Sequence, residues 1–182
     1  MSVRKVPLPA RLLVSVIYRE ERRFAEVLQC IEDRLGPVER TSGTFPFDMT
    51  EFYGKEMGAP LYRRFAVMER LVPRDALAAA KIGAEELERE FSEHGMRTVN
   101  LDPGMLTEEN FLLATGKNYS HRVYLRDGVF ADLTLVFRKG EYRALPWTYP
   151  DFAAAEIRAF LSEVREELRD ARKREGRKSR CG

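Results

Sequence analysis

The chain has 182 residues, of which 44% are hydrophobic and 33% charged, with a formal net charge of +2. That length suits one domain with its own core and is short for two. Residues 172–182 carry six Lys/Arg against one Glu; the formal +2 less this +5 leaves −3 for the remainder, which argues against a basic nucleic-acid-binding face on the body.

The apolar run after Arg11 is only about strand length, and Arg19 and Glu20 follow it at once. It reads as a first strand, Leu12 to Tyr18, rather than a signal peptide or membrane span, so the expected compartment is the cytoplasm. From Glu20 the period becomes helical, with Phe24, Val27, Leu28, Ile31 and Leu35 as a stripe that Gly36-Pro37 ends. Cys30 on this helix and Cys181 form neither a disulfide framework nor a CxxC metal site. Val38 to Thr44 suits a strand, and the aromatic, acidic stretch to Pro60 an ordered loop. Leu61 to Val72 is a strand with Leu61, Phe65, Val67 and Leu71 on one face. Pro73 and Asp75 open a second helix, striped by Leu77, Ala80, Ala84, Leu87 and Phe91 and closed by Gly95. Met96 to Asp102 is a short strand ending in an Asp102-Pro103-Gly104 turn.

Next come two apolar runs around Asp127-Gly128, the signature of a two-residue type I′ hairpin. Centred there, Arg126 faces Val129, Leu125 faces Phe130, Val123 faces Asp132 and His121 faces Thr134. His121, Asp132 and Thr134 then share a face, and Arg122 points to the opposite one. Lys139-Gly140 is a further tight turn, and a last helix runs from Phe152 to Lys173 on Ile157, Phe160, Leu161, Val164 and Leu168. The order of the first hundred residues is β-α-β-β-α-β. It predicts an α+β fold: a ferredoxin-like (split βαβ) sandwich extended by an antiparallel β-ribbon and a C-terminal helix. One domain over residues 1–173 and a basic, disordered tail over 174–182 complete the expected organisation.

Chemistry concentrates at the ribbon. Lys117, Asn118, His121 and Arg122 follow Ala114-Thr115-Gly116, and a point charge, a bidentate fork and backbone N–H groups suit a phosphate or carboxylate. The bland alternative is solvated strand-end charges and a His121 satisfied by Asp132 or Thr134. Function is put ahead because these groups interrupt an apolar strand. His121 could serve as general base with Asp132 orienting it, though such pairs are commoner as structure than as catalysis. A P-loop is excluded, because the positions it requires around Gly116-Lys117 hold Phe111 and Asn118. Asn100 and Asp102 share a strand face and could hold a metal or a ribose, although Asp102 capping its own turn is favoured. Asp48, Glu51 and Glu56 around Tyr53 could bind Mg²⁺ through oxygen, against the usual reading of solvated acids. Asp48, Glu56 and Asp102 are thus the metal candidates. Lys81–Glu85 reads as an ordinary helix-surface pair, and Trp147 to Asp151 as an aromatic lid docked on the core, with Asp151 capping the last helix.

Five stretches carry a resemblance: FDMTEFYGKEMG (47–58), NLDPG (100–104), ATGKNYSHRVYL (114–125), ADLTL (131–135) and WTYPDF (147–152). Together they resemble the bacterial family called domain of unknown function 4416, over nearly all of the chain except the basic tail. The resemblance implies a compact cytoplasmic protein, and some members carry the label GTP-binding protein. Typical members end W-T-Y-P-D-Y where this chain has Phe152. The expectation is a protein that binds a phosphorylated small molecule or nucleotide beside the ribbon without a P-loop, Mg²⁺ accompanying a nucleotide. Its ligand residues would be Lys117, Asn118, His121, Arg122, Thr134, Asn100 and Asp102. The alternative is a non-catalytic interaction module whose polar motifs are structural.

Overall fold

Nine consecutive buried residues mark β1 (Ala10–Tyr18) as the centre of the sheet. The computed structural model describes residues 3–48 and 53–178. The fold is mixed α and β, with one large antiparallel sheet and several helices. After β1 come α1 (Glu21–Leu35), β2 (Val38–Thr41), β3 (Phe45–Pro46), α2 (Gly54–Met57), β4 (Tyr62–Val72), α3 (Leu77–Glu90), β5 (Ser92–Glu93), β6 (Met96–Arg97) and β7 (Val99–Leu106). The remainder is β8 (Asn110–Thr115), β9 (Arg122–Arg126), β10 (Val129–Arg138), β11 (Glu141–Ala144), α4 (Pro150–Ala153) and α5 (Ala155–Lys178). The sheet order is β11-β10-β8-β7-β1-β4-β2, with β3 beside β4 and β9 beside β10.

Strand side chains alternate, so β1 feeds two cores. Leu12, Val14, Val16 and Tyr18 pack with Phe24, Val27 and Ile31 of α1 and Ala80, Ala84 and Leu87 of α3. Leu13 packs on the other face with Phe65, Val67, Phe111 and the α5 stripe Ile157, Phe160, Leu161, Val164 and Leu168. No helix among the described residues is long and apolar enough to cross a membrane.

The hairpin is present, with Asp127 and Gly128 both at positive φ (53° and 78°) as a type I′ turn requires. Its register departs from expectation one step out. Arg126 faces Val129, but Phe130 faces Tyr124 and Asp132 faces Arg122, because Leu125 is an extra, bulged residue. A slip of one residue exchanges the faces, so Arg122 stands with Asp132 and not opposite to it.

Asp102-Pro103-Gly104 is not a turn. β7 runs straight through it, pairing Asp102, Pro103 and Gly104 with Ser15, Val14 and Leu13. The Leu101 N–H and carbonyl both bond to α3 side chains, away from β1, and Pro103 shares that orientation two residues on. Its missing N–H therefore costs no bond to β1; instead it stops the β7–β8 ladder, which begins at Gly104↔Leu113.

Other boundaries also shift. α3 ends at Glu90, and His94-Gly95 turns a small hairpin between β5 and β6 rather than closing the helix. The last helix is broken at Ala154, which is extended (ψ 142°), and α5 continues past Lys173 to Lys178. The expected tail is thus helical over 174–178, and residues 179–182 lie outside the described residues.

Candidate functional site

Beyond Gly104 and Leu113 the unpaired parts of β7 and β8 border a cleft of about 690 Å³. Side chains from five strands line it: Arg63 on β4, Asn100 and Asp102 on β7, Leu113 and Thr115 on β8, Arg122 on β9 and Asp132 on β10. Tyr149, Asp151 and Phe152 line it from the 149–153 segment, Phe47 and Tyr53 from the loop after β3, and Lys81, Glu85 and Glu88 from α3.

Two hydrogen-bonded chains organise these groups. In the first, Arg97 holds Glu56 through Nε (2.9 Å) and Nη2 (2.8 Å) and donates to Asn100 Oδ1 (2.9 Å). Asn100 Nδ2 donates to Asp102 Oδ2 (2.7 Å), and Lys81 Nζ reaches the Leu101 carbonyl (3.2 Å) and Asp102 Oδ1 (3.4 Å). Glu88 Oε1 accepts the Leu101 N–H at 2.7 Å. α3 thus supplies to the open edge of β7 what a neighbouring strand would have supplied. The hydrogen bonds from Arg97 hold the Glu56 carboxyl below its usual range. Burial pushes the Glu88 carboxyl up, against the pull of Lys81.

The second chain centres on Asp132, which is buried. Its Oδ2 accepts from Arg122 Nε (2.9 Å) and lies 3.2 Å from His121 Nε2, and Thr134 Oγ1 reaches Oδ1 at 3.3 Å. Arg122 also donates to the Lys117 carbonyl (2.9 Å) and the Tyr149 hydroxyl (3.0 Å). His121 stacks on Trp147, centroids 4.9 Å apart, and the Trp147 Nε1–H donates to the Leu133 carbonyl (2.8 Å). Trp147 is therefore 39% exposed over the ribbon rather than docked in the core. Asp151 pairs with Arg63 at 2.5 Å and makes no cap.

Of the residues expected to form a site, Lys117, Arg122, Asp132, Asn100 and Asp102 line this one cleft. His121 and Thr134 are not among its lining residues and reach Asp132 instead. Asn118 is exposed and outside the lining. Asp48 is exposed, Glu56 is committed to Arg97 and Asp102 to Lys81 and Asn100, so the three metal candidates do not converge; Glu51 lies outside the described residues. Among the described residues no three His, Cys, Asp or Glu are placed to hold a metal.

Three contributors were missed. Lys81 is 7% exposed and bonded to β7, not paired with Glu85 at the surface. Arg97 gave no local signal. Arg63 did: it occupies the same alternating face as Leu61, Phe65 and Val67, and a charge on a core face needs a partner.

Fold and site together define an α+β protein with a charged, aromatic-walled cleft opening at a split in its sheet. The model of the family Domain of unknown function (DUF4416) matches residues 8–168, and the chain belongs to that family. Neither a curated protein nor a solved structure matches the chain.

Proposed function

We propose that the protein binds a phosphorylated small molecule or a nucleotide in this cleft, without a P-loop. The observation that carries the reading is the convergence of five cationic side chains, Arg63, Lys81, Arg97, Lys117 and Arg122, on one cleft of ligand size. Carboxylates already balance most of them, which fixes their geometry before a ligand arrives and leaves donors to spare. Any Mg²⁺ would enter on the nucleotide's own phosphates. The same ion pairs favour a second reading, in which the network only pins loops and α3 to the sheet.

Within this reading the β7-β1-β4-β2 half of the sheet is a split βαβ, ferredoxin-like unit. Its support is the antiparallel order and the placement of α1 and α3 in one core. A cytoplasmic setting suits Cys30, a free thiol.

The test is a thermal-shift screen of nucleotides and phosphorylated metabolites, with and without Mg²⁺. A ligand at a hundred times its dissociation constant stabilises by about 2.7 kcal/mol, or roughly 5–11 °C for a chain of this size. Lys117→Ala should then weaken binding about tenfold to a hundredfold, since a charge-assisted hydrogen bond contributes roughly 1.5–3 kcal/mol. Its melting temperature should hardly move. A destabilised Lys117→Ala protein that binds the ligand normally would establish the structural reading instead.

A further inference from the structure

Asp102 differs from the other carboxylates that hold a cation in the cleft. Asp132, Glu88 and Asp151 keep only 4%, 9% and 11% of their side chains exposed, whereas Asp102 keeps 28%. Among the described residues its carboxylate accepts from two groups, Asn100 Nδ2 at 2.7 Å and Lys81 Nζ at 3.4 Å. A carboxylate offers about four lone-pair sites, so about two are left for whatever fills the cleft. Asn100 is itself turned by Arg97, which donates to its Oδ1 and leaves Nδ2 to Asp102. The acceptor is thus fixed before a ligand arrives. Asp102 stands on the β7 side of the split, and Lys117 and Arg122 on the side of β8, β10 and β9.

A ligand that fills the cleft strips water from Asp102, and a desolvated carboxylate must be given donors. Lys81 already supplies the counter-charge, and Arg63 and Arg97 line the same cleft, so a ligand ammonium would meet like charges. Neutral hydroxyl donors suit the place, and an O–H bond to a carboxylate is one of the strong ones. We propose that Asp102 accepts hydroxyl groups of the ligand, which is therefore a phosphate ester of a polyhydroxylated chain or ring. Its phosphate meets Lys117 and Arg122 on one side of the split, and its hydroxyls meet Asp102 on the other. This rests on the reading that the cleft binds a phosphorylated ligand, and narrows that ligand to one with hydroxyls on its carrier.

The test is calorimetric titration of the full chain with glycerol phosphate and ribitol phosphate, and with n-propyl and n-pentyl phosphate, which match them in length but carry no hydroxyl. Unphosphorylated ribitol is titrated alongside. At least one polyol phosphate should bind about tenfold to a hundredfold tighter than its alkyl counterpart, as a hydrogen bond to a charged group allows. In Asp102→Asn that preference should fall about tenfold or more, while the alkyl phosphates bind as before or better, because an anion has left the cleft. Equal losses for both kinds of probe would mark Asp102 as structural and overturn the proposal. If Asp102→Asn does not fold, the ¹⁵N-labelled side-chain amide of Asn100 in the unaltered chain reports on Asp102 instead. It should shift with the polyol phosphates and not with the alkyl ones; equal shifts overturn the proposal. Equal affinities of polyol and alkyl phosphates also overturn it, and leave the phosphate reading standing. Ribitol that binds as tightly as its phosphate, and loses affinity in Asp102→Asn, upholds the hydroxyl subsite and overturns the phosphate reading. Binding by none of the probes overturns both.

Discussion

Gly104→Ala should destabilise the fold although nothing about the backbone forbids it. The glycine lies at the last paired position before β7 and β8 separate, under the ring of Phe111. A Cβ there would stand 2.4 Å from Phe111 Cζ and 2.6 Å from Cε2. Carbon atoms pack at about 3.5–4.0 Å, so the ring must retreat by roughly 1 Å. It has little room, being fully buried and stacked on Phe152 with centroids 5.8 Å apart. Overpacking of this kind costs about 1–3 kcal/mol, or roughly 2–12 °C in melting temperature. Denaturant and thermal unfolding of Gly104→Ala, Phe111→Leu and the double variant would measure it. The double should be less destabilised than the sum of the singles, because the smaller side chain vacates the space the Cβ needs. A Gly104→Ala protein within about 0.5 kcal/mol of wild type would refute the steric argument.

Asp132→Ala strips a buried counter-charge from Arg122 and a hydrogen-bond partner from His121, and should cost about 3–5 kcal/mol in denaturant unfolding. The Glu56 carboxyl is depressed by Arg97, so its contribution is present above the unfolded pKa and lost as pH falls through the lower folded value. Glu56→Gln should flatten that acid limb, and overlapping stability–pH curves for the two proteins would contradict the assignment. Glu88 has the opposite sign: burial raises its pKa, so the folded state binds the proton more tightly and stability falls as pH rises through the folded value. Glu88→Gln keeps an acceptor for the Leu101 N–H and should be the more stable protein at neutral pH, with the gain shrinking on acidification.

Much of the framework was legible in local pattern. The stripe Phe24, Val27, Ile31 and the stop at Gly36 mark α1, and Asp127-Gly128 and Lys139-Gly140 both became positive-φ turns. The failures share a cause: each depended on a neighbour that periodicity cannot name. Pro103-Gly104 reads as a turn until β8 is seen to stop short of it, which lets a strand carry a proline there. Lys81 looks like a surface partner of Glu85 until the same split brings the Leu101 carbonyl beneath it. Arg122 falls on the wrong face by counting alone, because alternation allows no extra residue. For the cleft, the sequence held more than was read from it. Arg63, in step with Leu61, Phe65 and Val67, announced a buried charge, but only the folded chain brings Asp151 to it.

The bulge at Leu125 makes strand register, rather than the identity of a side chain, the determinant of one wall of the cleft. Leu125 is exposed and takes no part in the hydrogen bonds on Asp132, so its side chain is not what holds that group in place. The register of Arg122 against Asp132 is. Were Leu125 drawn into the ladder, Val123 would stand opposite Asp132, and the guanidinium that now meets Asp132, the Lys117 carbonyl and the Tyr149 hydroxyl would point away from all three. Deleting Leu125, by contrast, would leave Arg126 opposite Val129 and Arg122 opposite Asp132, so in this hairpin a slip of register is a more drastic change than the loss of the bulged residue.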